Sequence, residues 1–287
     1  VFIMSKKFYK SRVIIFSIIL LILIGFAFIQ NKNLITDQTV NNPLFLQYKG
    51  DIYIDKKDKS LNLPFVFIDS TNSKLFNDLS DKIKSNNQYT SNDFLLFKDK
   101  TNNIEIYLKE ADKGSSYKNI CLYSILLEIK FLDKSNSYTI NSLNLLDKTY
   151  SIGDIYIERV ANGDELELSY NIGFTESMDK YYVQLINESG NIIDSLKLKN
   201  ADYIDKVYYF INGKRVKEVK NLKPKDKLKI LILFKDDLKK YNMFYFSPKI
   251  EYKTKYGNKS DVIPFATYGE VKQDEILDVY KKLENNQ

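Results

Sequence analysis

Few residues in this 287-residue chain are of the types that do covalent chemistry, and histidine is missing altogether. Its absence removes Ser-His-Asp and Cys-His nucleophilic mechanisms and every imidazole metal site. The single cysteine, Cys121, falls in Ile120–Phe131 on the same alternating face as Tyr123, Ile125, Leu127 and Ile129, so it reads as a core residue. One cysteine also allows no intrachain disulfide. Carboxylate pairs for general acid–base work exist on paper at Glu165 with Glu167 and at Asp236 with Asp237. The first pair stands two apart in a strand pattern, which places both on its solvent face. Ser177-Met178 offers the start of a Ser/Lys-dyad motif but lacks the proline that should follow. The acidic loops Asp55–Ser60, Asp99–Asn103 and Asp133–Ser137 lack the dense Asp-x-Asp pattern of a calcium cage. No catalytic, cofactor-binding or metal-ligating residue is assigned, and no cofactor is expected.

Aromatic residues are the more informative set. The chain has 22 tyrosines and no tryptophan, the usual platform for sugar rings, for which tyrosine substitutes in part. Tyr181-Tyr182, Tyr208-Tyr209, Tyr245 and Tyr252 all fall in strand patterns, where aromatics pack well. Neighbours in a strand face opposite sides, so one member of each pair should be exposed, and a row of such rings would make a binding surface.

Placement of these residues starts with Val13–Ile29, an uncharged apolar run of seventeen residues preceded by Lys6, Lys7, Lys10 and Arg12. At about 1.5 Å per residue the run just spans a bilayer core, and the flanking cations keep the short tail 1–12 in the cytoplasm. The rest is then exported behind a single-pass signal-anchor. Gly25-Phe26-Ala27 offers the competing outcome, cleavage near Ala27 and secretion. Those four cations supply most of the net charge of +6, leaving the exported part near neutral, with no electrostatic footprint for nucleic acid. Only three arginines among 43 basic residues make the same point. The Lys, Asn, Ile and Tyr bias fits an AT-rich, Gram-positive bacterial genome. The sequons at Asn187 and Asn258 follow from that composition.

Residues 30–43 are polar and aperiodic, a stalk that reaches roughly 20 Å as a flexible tether. From Leu44 onward, period-two alternation predicts strands at 44–47, 51–54, 61–68, 94–98, 104–109 and 120–131. Leu75, Leu79 and Ile83 predict one helix over 73–85. In the second half, strands are expected at 165–174, 181–186, 192–198, 207–211, 214–219, 228–234, 244–252 and 262–267, with Asn212-Gly213 as a type I′ hairpin turn. This pattern predicts a mainly β protein of two tandem immunoglobulin-like β-sandwich domains, 44–150 and 151–268, with a barrel as the alternative. Gly50-Asp51-Ile52-Tyr53-Ile54 recurs as Gly153-Asp154-Ile155-Tyr156-Ile157, which suggests duplication with a boundary near Tyr150. Ile276, Tyr280 and Leu283 form one stripe of a short C-terminal helix within 269–287, expected to pack on the second domain or on a partner.

The expectation is a membrane-anchored, non-enzymatic binding protein of a bacterial cell envelope, its partner another envelope protein or a surface polymer. The alternative is an envelope hydrolase using a carboxylate pair or a Ser/Lys dyad.

Overall fold

Alternation of apolar and polar side chains builds strands through most of the described chain. The computed structural model describes residue 40 and residues 42–86, 94–99, 104–132, 136–161, 163, 166–174, 179–199, 202–269 and 271–285. The tail, the apolar run Val13–Ile29 and most of the stalk lie outside the described residues; among those described, no helix is long and apolar enough to cross a membrane.

In chain order the strands are β1 (Leu44–Phe45), β2 (Tyr48–Asp55) and β3 (Ser60–Ser70), followed by helix α1 (Lys74–Asn86). Next come β4 (Phe94–Asp99), β5 (Ile104–Tyr117), β6 (Ile120–Phe131), β7 (Ser137–Leu145) and β8 (Lys148–Val160). The second half has β9 (Leu166–Phe174), β10 (Lys180–Asn187), β11 (Ile193–Leu198), β12 (Ile204–Ile211), β13 (Lys214–Val216), β14 (Val219–Leu222) and β15 (Lys227–Phe234). A 3-10 turn, η1 (Asp236–Lys240), precedes β16 (Met243–Ser247), β17 (Lys249–Thr254), β18 (Gly257–Val262), β19 (Ala266–Tyr268) and helix α2 (Ile276–Glu284).

Among the described residues these strands form four sheets within one unit, Asn42–Gln287. The first has the order β1-β3-β6-β5-β4 and the second β19-β16-β2-β8-β7. The third is β13-β12-β15-β10-β9 and the fourth β14-β11-β17-β18. The third and fourth bury one core between them, with Tyr181, Val183, Ile230 and Ile232 against Leu196, Leu198, Ile250 and Tyr252. Each such side chain contributes about 1.5–3 kcal/mol by leaving water.

Proline breaks two strands that alternation alone would run through. Residues 244–252 divide at Pro248 into β16 and β17, and 262–267 divide at Pro264 into β18 and β19, because a ring without an N–H cannot continue the ladder. Residues 214–219 likewise divide into β13 and β14, which join different sheets. Strands β7 and the first half of β8 carry too weak an alternation to be expected from sequence.

Ser73 starts α1 as its N-cap, its Oγ accepting the Phe76 N–H at 3.1 Å, while Leu75 and Leu79 are buried. The stripe Ile276, Tyr280 and Leu283 of α2 is buried as its spacing predicts. It lies against β1, β5 and β6 of the first sheet, not on the second half of the chain. The two copies of the Gly-Asp-Ile-Tyr-Ile segment are side by side: β2 and β8 run parallel, with Gly50 opposite Ile155 and Tyr48 opposite Gly153. Both glycines are needed for that approach. A Cβ at Gly50 would meet the Ile155 side chain, and one at Gly153, where φ is +102°, would strike the Tyr48 carbonyl oxygen. Position 150 itself lies inside β8.

Candidate functional site

Among the described residues, those with catalytic potential are dispersed. Cys121 is fully buried, its Sγ 3.3 Å from the Leu122 carbonyl oxygen, and burial pushes the thiol pKa up, so it acts as a core side chain. Glu165, Ser177 and Met178 lie outside the described residues, and of Glu167 only the backbone, in β9, is described. Asp236 and Asp237 are exposed on η1, where Asp236 pairs with Lys239 at 2.6 Å. Ser60 stands opposite Lys130 across β3 and β6, but that ammonium pairs with Glu128 at 3.4 Å and lies 4.1 Å over the Tyr107 ring. Among the described residues no three Cys, Asp or Glu side chains gather as a metal cluster. Loop residues 100–103 and 133–135 are outside the description.

Two polar arrangements stand out that sequence patterns did not reveal. The first is a ladder of charges between β8 and the strands of the fourth sheet. Lys199 donates to Glu158 at 3.0 Å and Tyr156 donates to it at 2.9 Å, while Lys249 stands 3.8 Å from both Glu158 and Glu251, and Lys197 pairs with Glu251 at 3.4 Å. Burial alone would raise the Glu158 pKa, but the hydrogen bonds from Lys199 and Tyr156 and the charges of Lys199 and Lys249 outweigh it and hold the carboxyl low. Beside the ladder, Tyr203 donates to Asp51 at 2.7 Å; burial raises the Asp51 pKa against that bond and the nearby Lys49 and Lys199 charges. Lys197, Lys249 and Glu251 also line an open groove of about 1000 Å³. The pairing of Lys197 and Lys249 with Glu251 and Glu158 suits holding strands together, while Lys253 and Lys259 also line the groove.

The second arrangement is the outer face of the third sheet. Strand β15 lies between β10 and β12, with Leu231 opposite both Tyr182 and Tyr208. One register step away, Lys229 lies opposite Gln184 and Phe210, and Phe210 in turn lies opposite Arg215 of β13. Residues directly opposite one another share a face, so two rows run across the strands: Tyr182–Leu231–Tyr208 and Gln184–Lys229–Phe210–Arg215. Tyr182, Leu231, Tyr208 and Phe210 are half-buried, whereas Lys229 and Arg215 are exposed. The Arg215 guanidinium sits 4.3 Å over the Tyr208 ring. Lys227 and Lys229 form no ion pair among the described residues. At the β12–β13 edge a depression of about 520 Å³ is lined by Tyr208 with Lys206, Arg215 and Lys217.

The hairpin at Asn212-Gly213 fixes this geometry. Both residues have positive φ, 48° and 81°, as a type I′ turn requires. The Asn212 side chain ties the turn to the start of β15 by accepting the Lys227 N–H at 2.9 Å and donating to Asp226 at 2.8 Å. The other tyrosines take structural places. Tyr181 and Tyr245 are fully buried, Tyr252 nearly so, and Tyr209 accepts the Leu198 N–H at 3.2 Å. Asn187, the first sequon, is buried and donates to the Leu222 and Asn191 carbonyl oxygens.

No family model matches the chain, and no curated protein matches its sequence. Among solved structures it is similar to the Enterococcus faecalis MSCRAMM ACE, described as binding its ligands by a collagen hug, at 9% identity over 81% of this chain and 95% of that one, with a TM-score of 0.22. It is similar also to a Porphyromonas gingivalis protein of unknown function, at 10% identity over 80% and 99% of the two chains and a TM-score of 0.23. A third is the Yersinia pseudotuberculosis adhesin InvE, at 8% identity over 77% of this chain and 58% of that one, with a TM-score of 0.19. Overlap at that level carries no functional argument.

Proposed function

We propose that this chain is a non-enzymatic binding protein of a bacterial cell envelope, engaging another envelope protein or a surface polymer close to the membrane. Val13–Ile29 serves as a single-pass signal-anchor with the N-terminus in the cytoplasm, supported by its length and by the four cations before it. The observation that carries the binding reading is the outer face of β10, β15, β12 and β13, where aromatic rings and unpaired cations lie together in register on one side of a rigid sheet. Interfaces are enriched in such aromatic and Arg side chains.

For the architecture, we read two sandwiches in tandem, 44–150 and 151–268. The second is supported by the order β13-β12-β15-β10-β9 against β14-β11-β17-β18, which follows the immunoglobulin-like arrangement of A-B-E-D opposite C-F-G. The first would pair the first and second sheets, borrowing β16 and β19 from the second half.

The test is crosslinking in cells followed by mass spectrometry, on the parent chain and on a Tyr182→Ser/Tyr208→Ser variant. The expected result is a reproducible envelope partner that the variant loses. Recovery of no partner, or equal recovery by the variant, overturns the reading. Protease accessibility and N-terminal sequencing test the anchor, and a mature N-terminus at Phe28 would sink it.

A further inference from the structure

We infer that the outer face of the third sheet binds a linear polysaccharide in which neutral and acidic sugars alternate. The inference rests on the binding role proposed for this face and names the ligand class. Crossing the strands in the order β10, β15, β12, β13, one row presents Gln184, Lys229, Phe210 and Arg215, and the row beside it presents Tyr182, Leu231 and Tyr208. Along the first row a cation, a ring and a cation follow one another at strand steps of about 4.8 Å, so the Lys229 and Arg215 positions recur at roughly 10 Å, flanked by the apolar second row. A polymer laid across the strands meets an apolar platform and a positive charge by turns. A chain whose sugars alternate between an uncharged ring and one bearing a carboxylate presents complementary groups with the same alternation.

The chemistry of each position supports this occupant. The Tyr182 and Phe210 rings, held by the sheet, offer a flat apolar face to the axial C–H bonds of a pyranose, and little rotamer freedom is lost because neighbouring strands already restrict them. The exposed Lys229 ammonium has no carboxylate partner among the described residues. Arg215 rests on the Tyr208 ring, which holds the guanidinium in place and leaves its N–H fork available to donate to a carboxylate in bidentate fashion. Of the cations lining the depression beside Tyr208, Lys206 is paired with Asp205 at 3.4 Å, which leaves Arg215 and Lys217 to favour an anion. In the groove on the fourth sheet, by contrast, Lys249 and Lys197 are paired with Glu158 and Glu251.

The test is calorimetric titration of the purified full chain in detergent with a hyaluronan octasaccharide, which alternates uronate and N-acetylhexosamine. A chitin hexamer supplies rings without charge, and inorganic polyphosphate supplies charge without rings. The inference expects the hyaluronan octasaccharide to bind at least tenfold more tightly than either control. Lys229→Gln, an exposed change remote from the core, and Tyr208→Ala should each weaken it about tenfold, while Tyr208→Phe retains binding. Absence of hyaluronan binding, equal binding of the chitin hexamer, or indifference to both Lys229→Gln and Tyr208→Ala overturns it. If hyaluronan fails while the Tyr182→Ser/Tyr208→Ser variant still loses its partner in cells, the polysaccharide assignment falls and the binding-face reading stands. If neither effect is seen, both fall.

Discussion

The two faces of the third sheet are made from alternate residues of the same strands, yet they do opposite work. Inward, Tyr181, Val183, Ile230 and Ile232 are fully buried against the fourth sheet. Outward, one residue along each strand, Tyr182, Leu231 and Tyr208 are half-buried beside exposed Lys229 and Arg215. The adjacent tyrosines 181 and 182 show the difference within one dipeptide. The Tyr181 ring is sealed from water, which pushes its hydroxyl pKa far up, whereas the Tyr182 ring stays partly hydrated. An aromatic ring on the inner face has already contributed its burial to folding. A ring on the outer face keeps part of that free energy available for a ligand. A one-residue slip of register would exchange the two sets, so the buried face also fixes which residues the outer face presents.

The strongest way to break this contrast is to cut back neighbouring residues on opposite faces. Ile230→Ala should cost about 2–5 kcal/mol in urea unfolding, whereas Leu231→Ala, at a half-buried position, should cost about 1 kcal/mol. Comparable losses at both positions would mean that the outer face is covered rather than open. A smaller effect is expected at the turn that positions Arg215. Gly213→Ala forces a side chain into φ of +81° and should cost about 1–2 kcal/mol. It should reduce ligand binding at the outer face while leaving the near-ultraviolet tyrosine signal of the core in place; loss of that signal would show that the hairpin also holds the inner face.

The ladder around Glu158 sharpens the contrast from the side of electrostatics, since its charges are paired where those of the outer face are not. The Glu158 pKa is held below its ordinary value in the fold, so its stabilisation is fully present above the ordinary glutamate pKa and is lost as pH falls through the depressed one. Glu158→Gln should therefore cost about 1 kcal/mol at neutral pH, and the difference from the parent should vanish in acid. A penalty independent of pH would assign Glu158 a packing role instead. The smallest expected effect is that of Lys229→Gln on unfolding, about 0.5 kcal/mol or less. A large loss would show that this cation supports the fold and is not held in reserve for a ligand.

Much of the fold was legible in the sequence because alternation is a local signal. The strand Ile120–Phe131, with Cys121 on its buried side, follows directly from period two, and the stripe of α2 follows from period 3.6. That the rings of Tyr181 and Tyr182 face opposite sides was legible for the same reason, but the expected exposed member is half-buried, as are both Tyr208 and Tyr209, because neighbouring strands cover part of each ring. The expectation of single strands over 244–252 and 262–267 gives too little weight to Pro248 and Pro264, which are themselves local signals. The candidate face was legible only in part. Tyr182, Tyr208, Lys229 and Arg215 come from four strands, and no periodicity relates residues so far apart in the chain. The resemblance of Gly50–Ile54 to Gly153–Ile157 was visible as well, but not that the two segments would lie side by side in parallel.

The sequence by itself settled which chemistry is closed to this protein, through the missing histidine, and which side chains alternate between core and water, because both depend on residue identity and near neighbours. The tertiary structure decided where α2 packs, that β13 and β14 part to different sheets, and that rings and cations from four strands line up in two rows. Those outcomes are set by strand order and register, which arise from non-local pairing that no short window of sequence contains.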